Sequence, residues 1–252
     1  MHNPPLDRRR FVGLLAATIV APALPAWRSL YVGPRITARP GRASGEWKAG
    51  LTPLWEGKPG AFLYIPKSYD PAKPAPLVVA LHGATQRASF SLRVWTPQAD
   101  AAGFILLAPE SEGMTWDAIR GEYGDDVLRI DRALKLVFDR VNIDPARIVM
   151  EGFSDGASYG IGLALENRDL FTHVVANSPG FITFHDRKAG GRKPKIYVSH
   201  GHQDPILPFE RAGARVVSQL RGEGHSVQFR EFEGGHTVPV DVAGEAVKFI
   251  MK

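Results

Sequence analysis

The sequence predicts an α/β fold, a mostly parallel central sheet with helices on both faces. Three observations carry this. From Ala61 onward, strand-like apolar runs alternate with segments of helical spacing, the pattern of successive β–α units. The run Pro76-Leu77-Val78-Val79-Ala80-Leu81 is continuously apolar, as a parallel strand covered on both faces must be. Residues able to do chemistry fall just past the ends of such runs, where the loops of a parallel sheet collect.

Taken in order, the chain opens on Asp7-Arg8-Arg9-Arg10-Phe11, followed by apolar residues from Val12 to Val20 and by Ala21-Pro22-Ala23-Leu24-Pro25-Ala26. A basic start, a short apolar stretch and small residues near a cleavage point read as an export signal over residues 1–26. The paired arginines ahead of Phe11 resemble a twin-arginine signal. The apolar stretch falls short of the roughly 20 residues that span a bilayer, so no membrane insertion is expected after cleavage. The expected destination is outside the bacterial cytoplasm, periplasmic or secreted. Residues 27–252 are then expected to form a single domain around one core.

Residues 27–59, rich in Pro, Gly and Arg, read as a lead-in or edge hairpin. After the strand ending at Leu81, Phe104 to Pro109 reads as the next strand. Val127, Ile130, Leu134, Val137, Phe138 and Val141 recur at helical spacing after an expected cap at Asp126. Strands follow at Ile148 to Glu151, Val174 to Ser178, Lys195 to His200 and Val227 to Phe232, with helices at Arg211 to Leu220 and Ala243 to Ile250. The net charge is +5, and residues 27–252 keep +3, an ordinary solubility charge that gives no case for nucleic acid. With no cysteine in the chain, stability must come from packing rather than disulfides.

Gly152-Phe153-Ser154-Asp155-Gly156 reads G-x-S-x-G between a strand-like and a small-residue helical segment. A strand turning sharply into a helix lifts a serine hydroxyl clear of the backbone at the positive helix end. Such a hydroxyl needs a base and an orienting acid. Asp204 follows the Lys195 to His200 strand, and His236 follows the Val227 to Phe232 strand, so acid and base come in the chain order Ser, Asp, His. The other histidines fit less well. His82 belongs to the turn after Leu81, His200 and His202 precede the acid, and His225 precedes a strand. Backbone N–H groups of Ala84, after the Leu81 strand, and of Asp155 are the expected donors to an oxyanion. Trp116, Phe181 and Phe184 lie in two loops leaving strand ends and are candidate walls of a substrate pocket.

These residues, with Phe62 to Pro66, Leu77 to Gln86, Asp125-Asp126-Val127 and Asn142 to Ile148, resemble the serine-esterase branch of the α/β-hydrolase fold. The match is to the phospholipase/carboxylesterase group and its polyhydroxybutyrate-depolymerase-like and feruloyl-esterase-like neighbours. It extends over residues 60 to 252. Asp155 departs from the Gln or Ala often found there. The resemblance implies hydrolysis of small or medium acyl or aromatic esters through an acyl-enzyme, with Ser154, Asp204 and His236 as its triad. It also implies no cofactor and no metal, and a small-molecule ester as partner. Two other readings remain open at this stage: a serine peptidase or amidase on the same framework, and a non-catalytic binding protein that kept the scaffold.

Overall fold

A computed structural model describes residues 33–186 and 191–252. The expected export signal lies outside them. The sheet has eight strands. In chain order they are β1 (Gly50–Pro53), β2 (Ala61–Ile65), β3 (Ala75–Leu81), β4 (Ile105–Pro109), β5 (Ile143–Phe153), β6 (His173–Asn177), β7 (Lys195–Gly201) and β8 (Val227–Phe232). The helices are α1 (Ala88–Ala102), α2 (Asp117–Arg120), α3 (Asp125–Arg140), α4 (Asp155–Glu166), α5 (Gly213–Gly222) and α6 (Val240–Ile250). Across the sheet the order is β1-β2-β4-β3-β5-β6-β7-β8. β1 and β2 pair antiparallel at one edge and every pairing from β4 to β8 is parallel. Of the lead-in or edge hairpin expected over residues 27–59, one strand forms, β1, and its antiparallel partner β2 lies beyond those residues.

Alternation along β3 explains why its whole sequence is apolar. Successive side chains of a strand point to opposite faces. Leu77, Val79 and Leu81 join one core with Val127, Ile130, Leu134 and Val137 of α3 and Ile161 and Leu165 of α4. Val78 and Ala80 join the other, with Trp95 and Ala99 of α1 and Val242, Ala246 and Ile250 of α6. Each large aliphatic side chain so buried contributes roughly 1.5–3 kcal/mol from water exclusion. Helices cover both faces of the inner strands, and the carboxyl ends of β3, β5, β7 and β8 carry the residues of interest.

One local expectation is corrected. Asp126 does not cap α3, whose flanking residue is Gly124. Its carboxylate turns back instead, accepting the N–H groups of Glu112 (2.7 Å) and Asp117 (2.8 Å). Asp117 in turn accepts the N–H groups of Gly124 and Asp126, both at 2.9 Å. The two carboxylates thus close the loop after β4, a task set by tertiary neighbours rather than by the helix. The helix α1 carries Pro97 inside and no side-chain cap at Arg87. Glu110, at the end of β4, supplies a carboxylate to the Ala88 N–H at 3.4 Å.

Candidate active site

Ser154 occupies the turn between β5 and α4 with φ 57° and ψ −118°, a left-handed backbone conformation that is costly for a non-glycine residue. Two glycines make room for it. A Cβ at Gly152 would strike the Gly156 carbonyl, and one at Gly156 would sit 2.5 Å from the carbonyl oxygens of Leu81 and His82. The start of α4 is therefore pressed against the end of β3. The Ser154 N–H donates to the Asn177 carbonyl at 2.9 Å, which ties the turn to β6.

The structure brings the three distant side chains together. The Ser154 hydroxyl lies 2.9 Å from Nε2 of His236. The His236 Nδ1–H donates to Oδ2 of Asp204 at 2.6 Å. A carboxylate can only accept, so Nδ1 carries the ring proton and Nε2 is left to accept from the hydroxyl. Asp204 is itself held by the N–H groups of Ile206 (2.9 Å) and Leu207 (2.8 Å) on Oδ1. Its burial favours the neutral acid. The Leu207 N–H, His236 and Ile206 N–H hydrogen bonds outweigh that and hold its carboxyl below the usual range.

His200, which precedes the acid in the chain, has another place. It is fully buried behind Asp204, with Nε2–H donating to the Leu207 carbonyl at 2.8 Å and 3.3 Å from Oδ2 of Asp204. Burial lowers its pKa, so it stays neutral beside the acid. His82 is equally buried, below the turn that holds Ala84. Its Nδ1–H donates to the Gly83 carbonyl (2.8 Å) and its Nε2 accepts the Ser111 N–H (3.1 Å). Ala84 is exposed in this turn. Thr85 beside it has φ 59° and donates its N–H to the Met114 carbonyl at 2.6 Å.

The expected pocket residues separate. Trp116 is 0 % exposed and lines no open cleft. Its indole N–H donates to the His82 carbonyl at 2.8 Å, so it supports the turn from below. Phe181 is 44 % exposed in the segment after β6, where Gly180 N–H donates to the Ser158 hydroxyl (3.0 Å) one turn beyond Ser154. Gly180 also lies against Leu207 of the Asp204 loop. Phe184, 70 % exposed, lines a cleft of about 330 Å³ with Ala118, Gly121, Glu122 and Tyr123. Tyr123 and Thr183 of the same two loops crowd Gly162. That glycine lies eight residues past Ser154, roughly 12 Å along the helix axis, so Phe184 sits beside the middle of α4 rather than over the serine. Sequence reasoning missed Leu207, His200 and Thr115, whose hydroxyl donates to Oδ2 of Asp155 at 2.6 Å. None has a local signature.

Among the described residues, no group of three or more His, Cys, Asp or Glu side chains is placed to hold a metal ion. No described helix is long and apolar enough to cross a membrane.

Relatives of the chain are named feruloyl esterase and acetylxylan esterase, and the chain is a carboxylic ester hydrolase of the α/β-hydrolase fold. Residues 126–252 match the phospholipase/carboxylesterase family, to which the chain belongs. It is 30 % identical over 207 residues to feruloyl esterase C of Emericella nidulans, covering 69 % of this chain and 74 % of that one. A probable feruloyl esterase C of Aspergillus oryzae is 33 % identical over the same shares of both chains. Among solved structures, an acetyl xylan esterase from Aspergillus awamori superposes with a TM-score of 0.64 at 15 % identity, over 81 % of this chain and 99 % of that one. At that identity the likeness is one of fold.

Proposed function

We propose that the chain hydrolyses carboxylic esters by two-step acyl transfer at Ser154. The observation that carries this is the continuous hydrogen-bonded line from Asp204 through His236 to the Ser154 hydroxyl, at 2.6 and 2.9 Å. His236 takes the hydroxyl proton through Nε2 as Ser154 Oγ attacks the ester carbonyl, and Asp204 stabilises the imidazolium that forms. The tetrahedral oxyanion is held by the N–H groups of Ala84 and Asp155, worth roughly 3–4 kcal/mol each by comparison with removal of such donors. Collapse of the intermediate expels the alcohol, which takes its proton from His236. Water, deprotonated by the same imidazole, then cleaves the acyl-enzyme to the free acid.

The substrate we infer is an ester of a small or aromatic acid, feruloyl and acetyl esters first among them. The names of the relatives support this, as does the exposed Phe181 in the segment after β6, whose Gly180 lies against Leu207 of the Asp204 loop. Residues 1–26 are proposed to direct export, with residues 27–252 as one catalytic domain. The test is Ser154→Ala assayed on p-nitrophenyl acetate and methyl ferulate, beside labelling by a fluorophosphonate. Turnover should fall roughly 10⁴-fold or more with the fold unchanged, and labelling should vanish. Substantial turnover by the alanine variant sinks the assignment. An unlabelled wild-type protein points to a binding role, and preference for a matched amide over the ester points to an amidase.

A further inference from the structure

We propose that the Asp155 carboxylate is a positioning residue that fixes the oxyanion loop through Thr115; this rests on the reading of Ser154 as nucleophile and of Ala84 and Asp155 as N–H donors. In that reading position 155 needs only its backbone. A carboxylate there sets a negative charge one residue from the nucleophile, where an oxyanion develops and like charges repel. Geometry shows where the charge is directed. Oδ2 of Asp155 accepts the Thr115 hydroxyl at 2.6 Å, a short charge-assisted bond to the loop after β4. Its place in the first turn of α4 suits the helix dipole.

The same loop then reaches the other donor. Met114, next to Thr115, gives its carbonyl to the Thr85 N–H at 2.6 Å. Thr85 is β-branched at φ 59°, a conformation that persists only where its surroundings impose it. The Thr85 hydroxyl donates to the carbonyl of Ala84 at 2.6 Å. One path of bonded neighbours thus runs from Asp155 through Thr115 and Met114 to Thr85 and Ala84. It joins the two donors outside the sheet, one at the start of α4 and the other beyond β3. Trp116, the residue after Thr115, is held by its indole on the His82 carbonyl, at 2.8 Å. Cutting the Asp155–Thr115 bond therefore removes the tie to α4 while the Met114 and Trp116 contacts keep the loop in place. A donor held less firmly weakens transition-state binding more than substrate binding.

The experiment compares Asp155→Ala, Thr115→Val, the double variant, Asp155→Asn and Thr115→Ser on p-nitrophenyl acetate. Affinity for an aryl trifluoromethyl ketone, which forms a tetrahedral adduct at the serine, is measured alongside. Expected for Asp155→Ala and for Thr115→Val is a loss of about tenfold in kcat, the effect of one charge-assisted hydrogen bond. KM should change less than about twofold, and ketone affinity should fall in step with kcat. The double variant should be no worse than either single one, while Asp155→Asn and Thr115→Ser should recover most of the rate. Thr115→Val carries the test if Asp155→Ala fails to fold. Wild-type kcat in Thr115→Val, losses that multiply in the double variant, or a loss confined to KM would overturn the proposal. Fluorophosphonate labelling separates the two failures. A labelled, fully active Thr115→Val removes the latch alone, whereas an active Ser154→Ala removes the nucleophile on which it depends.

Discussion

Glu151 stands three residues before Ser154 on β5 and is 1 % exposed. Asn177 Nδ2 donates to it at 2.9 Å, and the Asn177 side-chain oxygen accepts the Ser199 hydroxyl at 2.6 Å, so the group links β5, β6 and β7 beneath the turn. Burial pushes its pKa up to about 8, against the hydrogen bonds from Asn177 and Trp95. The unfolded chain ionises near 4.5, so the stability this group contributes is complete below that pH and is lost as pH rises toward 8. Glu151→Gln, which cannot ionise, should flatten the fall in Tm between pH 5 and 8 and gain on the order of 2 kcal/mol near pH 7. Identical Tm slopes in variant and wild type would show that Glu151 is already charged in the fold. At this scale the site was half legible. Ser154, Asp204 and His236 declared themselves by residue type, order and position after strands. Thr115 and His200 did not, because a threonine hydroxyl and a buried imidazole gain their roles only from partners 40 and four residues away.

The joint of α4 with β3 and β5 shows how an element positions the serine. Gly156 lets the helix start so close to β3 that a Cβ there would lie 2.5 Å from the Leu81 and His82 carbonyl oxygens. Gly156→Ala must push α4 away from β3. It should cost about 1–3 kcal/mol in stability and lower turnover with it, read by urea unfolding and an ester assay. Gly244, inside α6, has nothing within 4 Å of a built Cβ. Gly244→Ala should stabilise by about 0.5–1 kcal/mol with turnover unchanged. Equal effects at the two positions would show that close approach does not govern the α4 joint. The strands of this fold were legible because both-face burial demands continuous apolar runs, as in β3 and β4. The helix α1 was not, since Pro97 interrupts its pattern and Glu110, 22 residues on, satisfies its first turn.

Across the whole molecule, acid stability is a balance of buried groups. His82, His173, His200 and His225 are all held neutral by burial, His173 down to about 4. Stability from these groups is present above about 6.5 and is lost as pH falls through their depressed values. Asp131, Asp144, Asp169 and Asp204 are held low by their hydrogen bonds and ion pairs despite burial, and add their loss below the ordinary carboxylate range. Opposing them, burial raises Asp117, Asp126 (to about 6) and Glu151, which stabilise as they protonate but finish doing so by about pH 4. Calorimetry should therefore find a shallow response between pH 7 and 5 and a steep fall in Tm below about 4. A Tm held constant to pH 3 would contradict this balance. With no cysteine in the chain, reductant should leave the curve unchanged.

By itself the sequence determined the parallel sheet, its order of units and the three residues whose types and chain order suit proton transfer, because periodicity and turn chemistry are local properties. Tertiary structure alone decided which side chains face one another across loops. It sent Trp116 under the turn after β3, Phe184 beside α4, and Thr115 onto Asp155. Those placements depend on where separate strand ends converge, a distance that no stretch of chain encodes alone.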